Sequence, residues 1–331
     1  MYIKRRYGLH MIARWTSTSI IVSILYSAVI TIAFVLLDKH CNINLSLSWQ
    51  PIGVLGIAVA FYLGFKNNAS YDRTWEARKI WGSIVNNSRS FTAQLLAYTK
   101  GQDADKLVHE IVNRHIAWLT ALRFQLRLEK ECEHTKERLN NMFTPNVCEL
   151  YFDRLDQDLM SCITEDEFNS YKDKANMATH ILAKQSVRLQ DLRDQEYYED
   201  FRHMELQKMV HNFYEDQGKS ERIKGFPFPR QYASIALWLT FFFAVLIPFG
   251  LLDVFMKNET SIWLTIPVSA LIIWVFYLME KIGDYSENPF EGTYNDVPIT
   301  SIANTIEIDL KEMINATDVP PKTEPVNGFL M

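Results

Sequence analysis

Four long apolar runs without charged side chains restrict the folds that this chain can adopt. The runs contain 22, 18, 21 and 19 residues, and they occupy positions 16–37, 48–65, 232–252 and 261–279. A helix needs roughly 20 such residues to cross the hydrocarbon core of a bilayer, which is about 30 Å thick. The runs therefore predict an all-α, multi-pass membrane protein with four transmembrane helices.

The charged residues lie almost entirely between these runs, and they divide the chain into four segments. We expect an N-terminal cytoplasmic segment with the first two transmembrane helices over 1–65, and the third and fourth transmembrane helices over 232–280. A large cytoplasmic helical region over 66–231 separates them, and a C-terminal cytoplasmic segment covers 281–331. The tail after Asn315 contains three prolines and is predicted to be loosely packed.

Helical signals recur through the central region. Thr164 followed by Glu167 forms a capping box, which predicts a helix from there toward Leu189. Another helix is predicted from about Glu196 to Tyr214. No run alternates apolar and polar residues between turn signals, so strands are not expected.

Positive charge near the N-terminus predicts the orientation in the membrane. The first fourteen residues contain four basic side chains and no acidic one: Lys4, Arg5, Arg6 and Arg14. Basic segments stay on the cytoplasmic side, so the N-terminus is expected there, and four crossings return the C-terminus to the same side. The expected location is a cell membrane, either a plasma membrane or a bacterial inner membrane.

The absence of ionisable residues from the runs disfavours several functions. Intramembrane proteases, proton pumps and ion-coupled carriers need ionisable side chains inside their spans, and none of the four runs has one. A net charge of -5 disfavours a nucleic-acid partner. No catalytic, cofactor-binding or metal-binding motif is legible, so we expect neither an enzyme nor a bound cofactor or metal. A pore closed by an apolar constriction needs none of these groups.

The second run contains two stripes with a period of four residues. Small residues recur at Gly56, Ala60 and Gly64, which permits close contact between helices in a membrane. Bulky apolar residues recur beside them, at Ile57, Phe61 and Phe65. If copies of this helix surround an axis, the bulky stripe forms successive rings. The alternative is that it faces lipid or packs inside a helix bundle.

Residues 63–82 read LGFKNNASYDRTWEARKIWG, and this segment closely resembles the bestrophin family, especially its bacterial branch. Further matches lie at 221–224 with 227–229, at 287–290, at 295–296 and at 306–310. The order of these motifs and the layout of four spans also agree with that family. The resemblance therefore covers nearly the whole chain.

The resemblance implies a homopentameric ion channel in the lipid bilayer, with one axial pore for small monovalent ions. It implies that the second span lines a hydrophobic neck, whose matching positions are Ile57, Phe61 and Phe65. A second constriction, the cytoplasmic aperture, falls by spacing on Phe201 or on Met204. The family is best known for chloride and also contains cation-conducting bacterial relatives.

Two features bear on gating and on selectivity. Animal bestrophins bind calcium through a dense acidic run, but this chain has only Glu291 and Asp296 there, whereas calcium takes six to eight oxygen ligands. We therefore predict no gating by calcium. Three acidic residues precede Phe201 and are candidates for selecting cations, unless they form an ordinary solvated helix face: Glu196, Glu199 and Asp200. The sequence leaves the sign of the ion open, and a non-conducting membrane scaffold or sensor that binds a partner is the alternative function.

Overall fold

A computed structural model gives the fold and describes residues 1–134, 154–256, 258, 260–294 and 296–331. The helices found there are α1 (Leu9–Trp15), α2 (Ser17–Cys41), α3 (Trp49–Tyr98), α4 (Ala104–Arg127), α5 (Leu155–Met160), α6 (Glu165–Tyr171), α7 (Met177–Asp194), α8 (Asp200–Gly225), α9 (Arg230–Phe255), α10 (Thr265–Asp284) and α11 (Ile299–Met313). A 3₁₀ turn, Ser261–Leu264, precedes α10. Within the described residues the extended pairing is limited to isolated bridges near the two ends of the chain. The predicted all-α class is confirmed.

The chain divides into two compact units. The membrane unit contains residues 4–72 and 228–287, and the large unit contains residues 1–3, 73–227 and 288–331. The described helices include four that are long and apolar enough to cross a membrane: Ser17–Cys41, Trp49–Tyr98, Arg230–Phe255 and Ser261–Asp284. The multi-pass architecture is thus confirmed, while the four segment boundaries drawn from the sequence stay a prediction.

In the membrane unit, α10 packs against both α2 and α9. One face of α3 joins the same core through Val59 and Leu63, which pack with apolar residues of α9 such as Phe243. Gly56 permits this approach, because a Cβ atom there would lie 2.7 Å from the Phe243 ring. A Cβ atom at Gly64 would meet nothing within 4 Å. Within the chain, Gly56 therefore allows close helix packing, whereas the space beside Gly64 is open.

In the large unit, α4 lies at the centre and packs against α7, α11 and α5. A buried aromatic cluster fixes α4 to α3 and α8; it contains Phe91, His115, Trp118 and Phe213. Burial lowers the pKa of His115 to about 3, so the imidazole is neutral at physiological pH. Its Nε2 atom lies 2.8 Å from Ser88 Oγ, which makes it a hydrogen-bonded core residue.

The predicted cap at Thr164 is confirmed, but the helix that follows is shorter than predicted. The Thr164 hydroxyl accepts a hydrogen bond from the Glu167 amide at 3.3 Å. Helix α6 nevertheless ends at Tyr171, and α7 begins after Asn176, whose side chain accepts from the Thr179 amide at 3.0 Å. One predicted helix is therefore two, and the second has its own cap.

The start of α8 and the C-terminal tail also differ from the prediction. Glu196 has a φ of +67°, which is incompatible with a helix, so α8 begins only at Asp200 and then runs on to Gly225. The tail is packed: Phe329 and Met331 are buried, and the Met331 carbonyl accepts from the Ser301 amide at 2.8 Å. Apolar residues at its end anchor the tail despite its prolines.

The buried carboxyl group of Asp216 predicts a dependence of stability on pH. It accepts hydrogen bonds from Ser83 Oγ at 2.8 Å and from Asn87 Nδ2 at 3.0 Å, and burial raises its pKa above 3.8. A pKa that is raised by folding means that the folded state binds more protons, so stability falls as pH rises through that pKa. We expect Asp216→Asn to raise the unfolding midpoint modestly at pH 7 and to flatten its dependence above pH 4.

Thermal unfolding at pH 4, 5.5 and 7 measures this effect. Asp191→Asn, on the exposed face of α7, is the matched control and is expected to change neither the midpoint nor its slope with pH. A lower midpoint for Asp216→Asn at every pH would show that the carboxylate stabilises the contact between α3 and α8.

Candidate functional site

The bulky stripe of α3 lies on the surface of the membrane unit. Ile57, Phe61 and Phe65 are 73%, 69% and 55% exposed, respectively. On the opposite face of the same helix, Val59 and Leu63 are 1% and 0% exposed. The helix period produces this division, because residues four apart share a face while residues two apart do not. The structure thus brings the three predicted neck residues together on one exposed face.

The geometry of the stripe suits a narrow apolar lining. From Ile57 to Phe65 the helix rises about 12 Å, at 1.5 Å per residue. The rings of Phe61 and Phe65 meet edge to face, with their centroids 4.6 Å apart and an interplanar angle of 84°. A single chain cannot enclose a pore with one helix face, so the stripe meets either acyl chains or further copies of the chain.

A buried ion pair follows the stripe, and the pattern of uncharged runs did not predict it. Lys66 Nζ lies 2.8 Å from Glu280 Oε1, and these two side chains are 0% and 8% exposed. Asp284 contributes a more distant carboxylate oxygen at 3.8 Å. The pair connects α3 to α10 directly after Phe65. The available signal was that Lys66 and Glu280, which have opposite charge, each follow the last residue of an uncharged run.

The two candidates for the cytoplasmic aperture lie in the first two turns of α8. Phe201 is 84% exposed and Met204 is 65% exposed. Residues three apart share a helix face, so both side chains are presented on the same side of α8. Both candidates are thus exposed on one side of α8, and both lie in the large unit.

The three acidic selectivity candidates are exposed, and two of them are paired with basic residues. Glu199 accepts a hydrogen bond from Lys100 Nζ at 2.8 Å, and this bond lowers the pKa of Glu199. Asp200 accepts from Arg193 Nε at 2.8 Å. Glu196 occupies the turn before α8. Nearby cations thus compensate much of the negative charge that the sequence places before Phe201.

The two carboxylates of the segment in which the resemblance implies a calcium site for animal members, Glu291 and Asp296, are engaged within the chain. Asp296 accepts hydrogen bonds from the amides of Phe290 and Gly292 at 2.7 and 2.6 Å, and from Arg127 Nη1 at 2.5 Å. Glu291 is buried and accepts from the His134 amide at 3.2 Å. Among the described residues no group of three or more His, Cys, Asp or Glu side chains has a geometry for a metal ion. Asn295, part of the same motif, lies outside the described residues.

Comparison with known proteins decides the family. A family model described as bacterial/fungal bestrophin protein matches residues 4–312 of this chain. The chain belongs to the bestrophin family. The resemblance inferred from residues 63–82 is thereby confirmed.

Two relatives of this bestrophin have curated names that describe a function. The voltage-dependent anion channel-forming protein YneE of Escherichia coli K12 is 27% identical over 310 residues, which cover 93% of this chain and 90% of that protein. The voltage-dependent anion channel-forming protein RSc3414 of Ralstonia nicotianae is 29% identical over 273 residues, covering 82% and 79% of the two chains.

A solved structure shares the fold of this bestrophin. The crystal structure of a bacterial bestrophin homolog from Klebsiella pneumoniae matches with a TM-score of 0.76 at 24% identity. The match covers 90% of this chain and 98% of that one. At this identity the comparison supports the architecture of the chain and nothing about individual side chains.

Proposed function

We propose that this bestrophin is a homopentameric ion channel that conducts small monovalent ions, anions in preference to cations. Its neck consists of Ile57, Phe61 and Phe65, and Phe201 or Met204 forms a second constriction. The observation that carries this proposal is the exposed stripe of three bulky apolar side chains on α3, opposite a fully packed face. The names of the anion channel-forming relatives support it.

An assembly of five chains turns the stripe into three consecutive apolar rings. Narrow hydrophobic rings stop ions by excluding water, and they need no charged side chain to do so. A small outward movement of α3 then admits water and opens the path. No catalytic group is required for this function, and we propose a channel and not an enzyme.

The charges around the proposed pore entrance support a preference for anions. Because Lys100 and Arg193 compensate Glu199 and Asp200, these acidic residues provide little attraction for cations. We expect removal of both pairs together, by Lys100→Gln with Glu199→Gln and Arg193→Gln with Asp200→Asn, to leave the reversal potential unchanged, because the net charge at the entrance stays the same. A shift toward the chloride potential would instead show that the acidic residues favour cations in the wild-type channel.

We propose that the protein lies in a plasma membrane or a bacterial inner membrane, with both termini cytoplasmic. The basic residues before α2 support this orientation. An impermeant thiol reagent added to sealed right-side-out vesicles tests it. We expect the reagent to label the native Cys41 at the end of α2 and not a cysteine introduced at Ser17 at its start, and the reverse result would invert the proposed orientation.

The direct test is reconstitution of the purified protein in planar bilayers under a tenfold NaCl gradient. We expect currents that reverse near the chloride equilibrium potential, and a detergent-corrected mass five times that of the 38.6 kDa chain. Reversal near the sodium potential would overturn anion preference alone. Absence of current from a pentamer would favour a non-conducting scaffold or sensor, and a monomeric mass would remove the axial pore.

A further inference from the structure

The membrane unit contains a groove that the proposed pore does not use. Its volume is about 670 Å³, and residues of α2, α9 and α10 line it. Its rims are exposed apolar side chains, among them Val22 of α2 and Leu237 and Phe241 of α9. Because all three helices are apolar enough to span a membrane, the groove opens sideways toward acyl chains.

The length of the groove corresponds to one leaflet of a bilayer. Its lining extends over nine residues along each helix: from Thr18 to Tyr26, from Leu237 to Val245, and from Ile273 to Lys281. The eight steps between the first and the last of nine helical residues rise about 12 Å. Half of the hydrocarbon core measures about 15 Å, so the groove accommodates most of one acyl chain and does not reach across the bilayer.

One end of the groove is basic and aromatic. Lys281 Nζ donates a hydrogen bond to the Trp15 carbonyl at 3.1 Å and lies 4.8 Å from the centroid of the Trp15 ring. The exposed side chain of Arg14 precedes Trp15, and no acidic residue occurs before Asp38. Glu280 also lines the groove, but its carboxylate is paired with Lys66. This end therefore carries a positive charge at the depth where aromatic residues meet lipid headgroups.

We propose that this groove binds an anionic phospholipid from the leaflet on the Lys281 side. Its phosphate lies at Lys281, and one acyl chain follows the groove between α2 and α9. The positive end selects an anionic headgroup, while the apolar walls accept any chain. The site is independent of the proposed conduction, because none of its residues belongs to the stripe of α3.

Thermal unfolding of the purified protein in detergent tests the proposal, with added phosphatidylglycerol compared with phosphatidylcholine. A ligand that binds the folded state alone raises the unfolding midpoint, so phosphatidylglycerol is expected to raise it more than phosphatidylcholine. Lys281→Gln is expected to abolish this difference, and Lys281→Arg to retain it. Lys39→Gln removes the same charge at the opposite end of α2 and is the matched control.

A second pair of variants tests the apolar part of the groove by counting the phospholipid molecules retained per chain, measured by mass spectrometry. Ala244→Trp fills the groove and is expected to remove about one phospholipid per chain, while Ala28→Trp, outside the lining, retains it. Val22→Trp, at the exposed rim, is expected to act like Ala244→Trp without entering the core.

Equal midpoint shifts for the two lipids, or unchanged retention in both groove variants, would overturn the proposal. Cross-linking between chains through Phe241→Cys would also overturn it, because a second copy would then cover the groove. None of these measurements depends on ion flux, so their failure leaves the channel proposal standing.

Discussion

Replacing Ile57, Phe61 and Phe65 together with alanine is expected to raise the unitary conductance several-fold and to weaken gating. Each substitution removes a bulky apolar group from the proposed neck, which widens the constriction and lets water remain inside it. The three side chains are exposed within the chain, so their loss creates no core cavity, and the pentamer is expected to assemble. Single-channel recordings in planar bilayers measure the effect, together with the mass of the complex.

A matched triple variant on α2 separates a pore lining from a lipid-facing stripe. Ile21→Ala, Leu25→Ala and Val29→Ala remove a comparable amount of exposed apolar surface from a spanning helix. We expect this variant to conduct like the wild type. If the α3 variant also gives unchanged currents while it remains pentameric, the assignment of the neck is wrong.

Lys66→Met is expected to destabilise the protein by about 3 to 5 kcal/mol, because it leaves the buried carboxylate of Glu280 without its partner. The side chains of the pair are almost fully buried, so water does not compensate for the loss. The expected readout is a large drop in the unfolding midpoint and a loss of assembled protein on size-exclusion chromatography. Lys79→Met, at an exposed position of the same helix, is the control and is expected to have little effect.

Removing both charges tests whether burial of an unpaired charge causes this loss. The double variant Lys66→Met, Glu280→Leu replaces the pair with apolar groups, and such replacements are often close to neutral. We expect it to regain most of the stability that Lys66→Met loses. A double variant as unstable as the single one would show instead that Lys66 packs a site that methionine cannot fill.

The sequence predicted the membrane-spanning helices best, because the thickness of the bilayer sets their length. A membrane requires uninterrupted apolar helix, so uncharged runs located the four spans, although α2 extends four residues beyond its run to Cys41. The period of four in the second run placed Ile57, Phe61 and Phe65 on one face, and the structure shows that face exposed. Contacts with further copies of the chain determine whether this face is covered, and no pattern within one sequence encodes those contacts directly.

The sequence was least informative where distant residues pair or where one residue departs from its usual conformation. Lys66 and Glu280 are 214 positions apart, so no local pattern connects them. Lys100 is 99 positions from Glu199, and the acidic cluster therefore looks uncompensated in the sequence. Positive φ values are typical of glycine and asparagine, and Glu196 is neither, so the sequence gives no sign that it adopts one. The helix α8 was therefore predicted to begin too early.

The edge-to-face contact between Phe61 and Phe65 has a consequence for how a pore built from these helices opens. One ring cannot turn without losing contact with the other, and such aromatic pairs are worth about 0.5 to 1.5 kcal/mol. In a pore of this kind, the ring of Phe61 side chains and the ring of Phe65 side chains are in contact within every subunit. The two rings are therefore expected to open together as a single barrier. Recordings are then expected to show transitions between shut and fully open, with few visits to intermediate current levels.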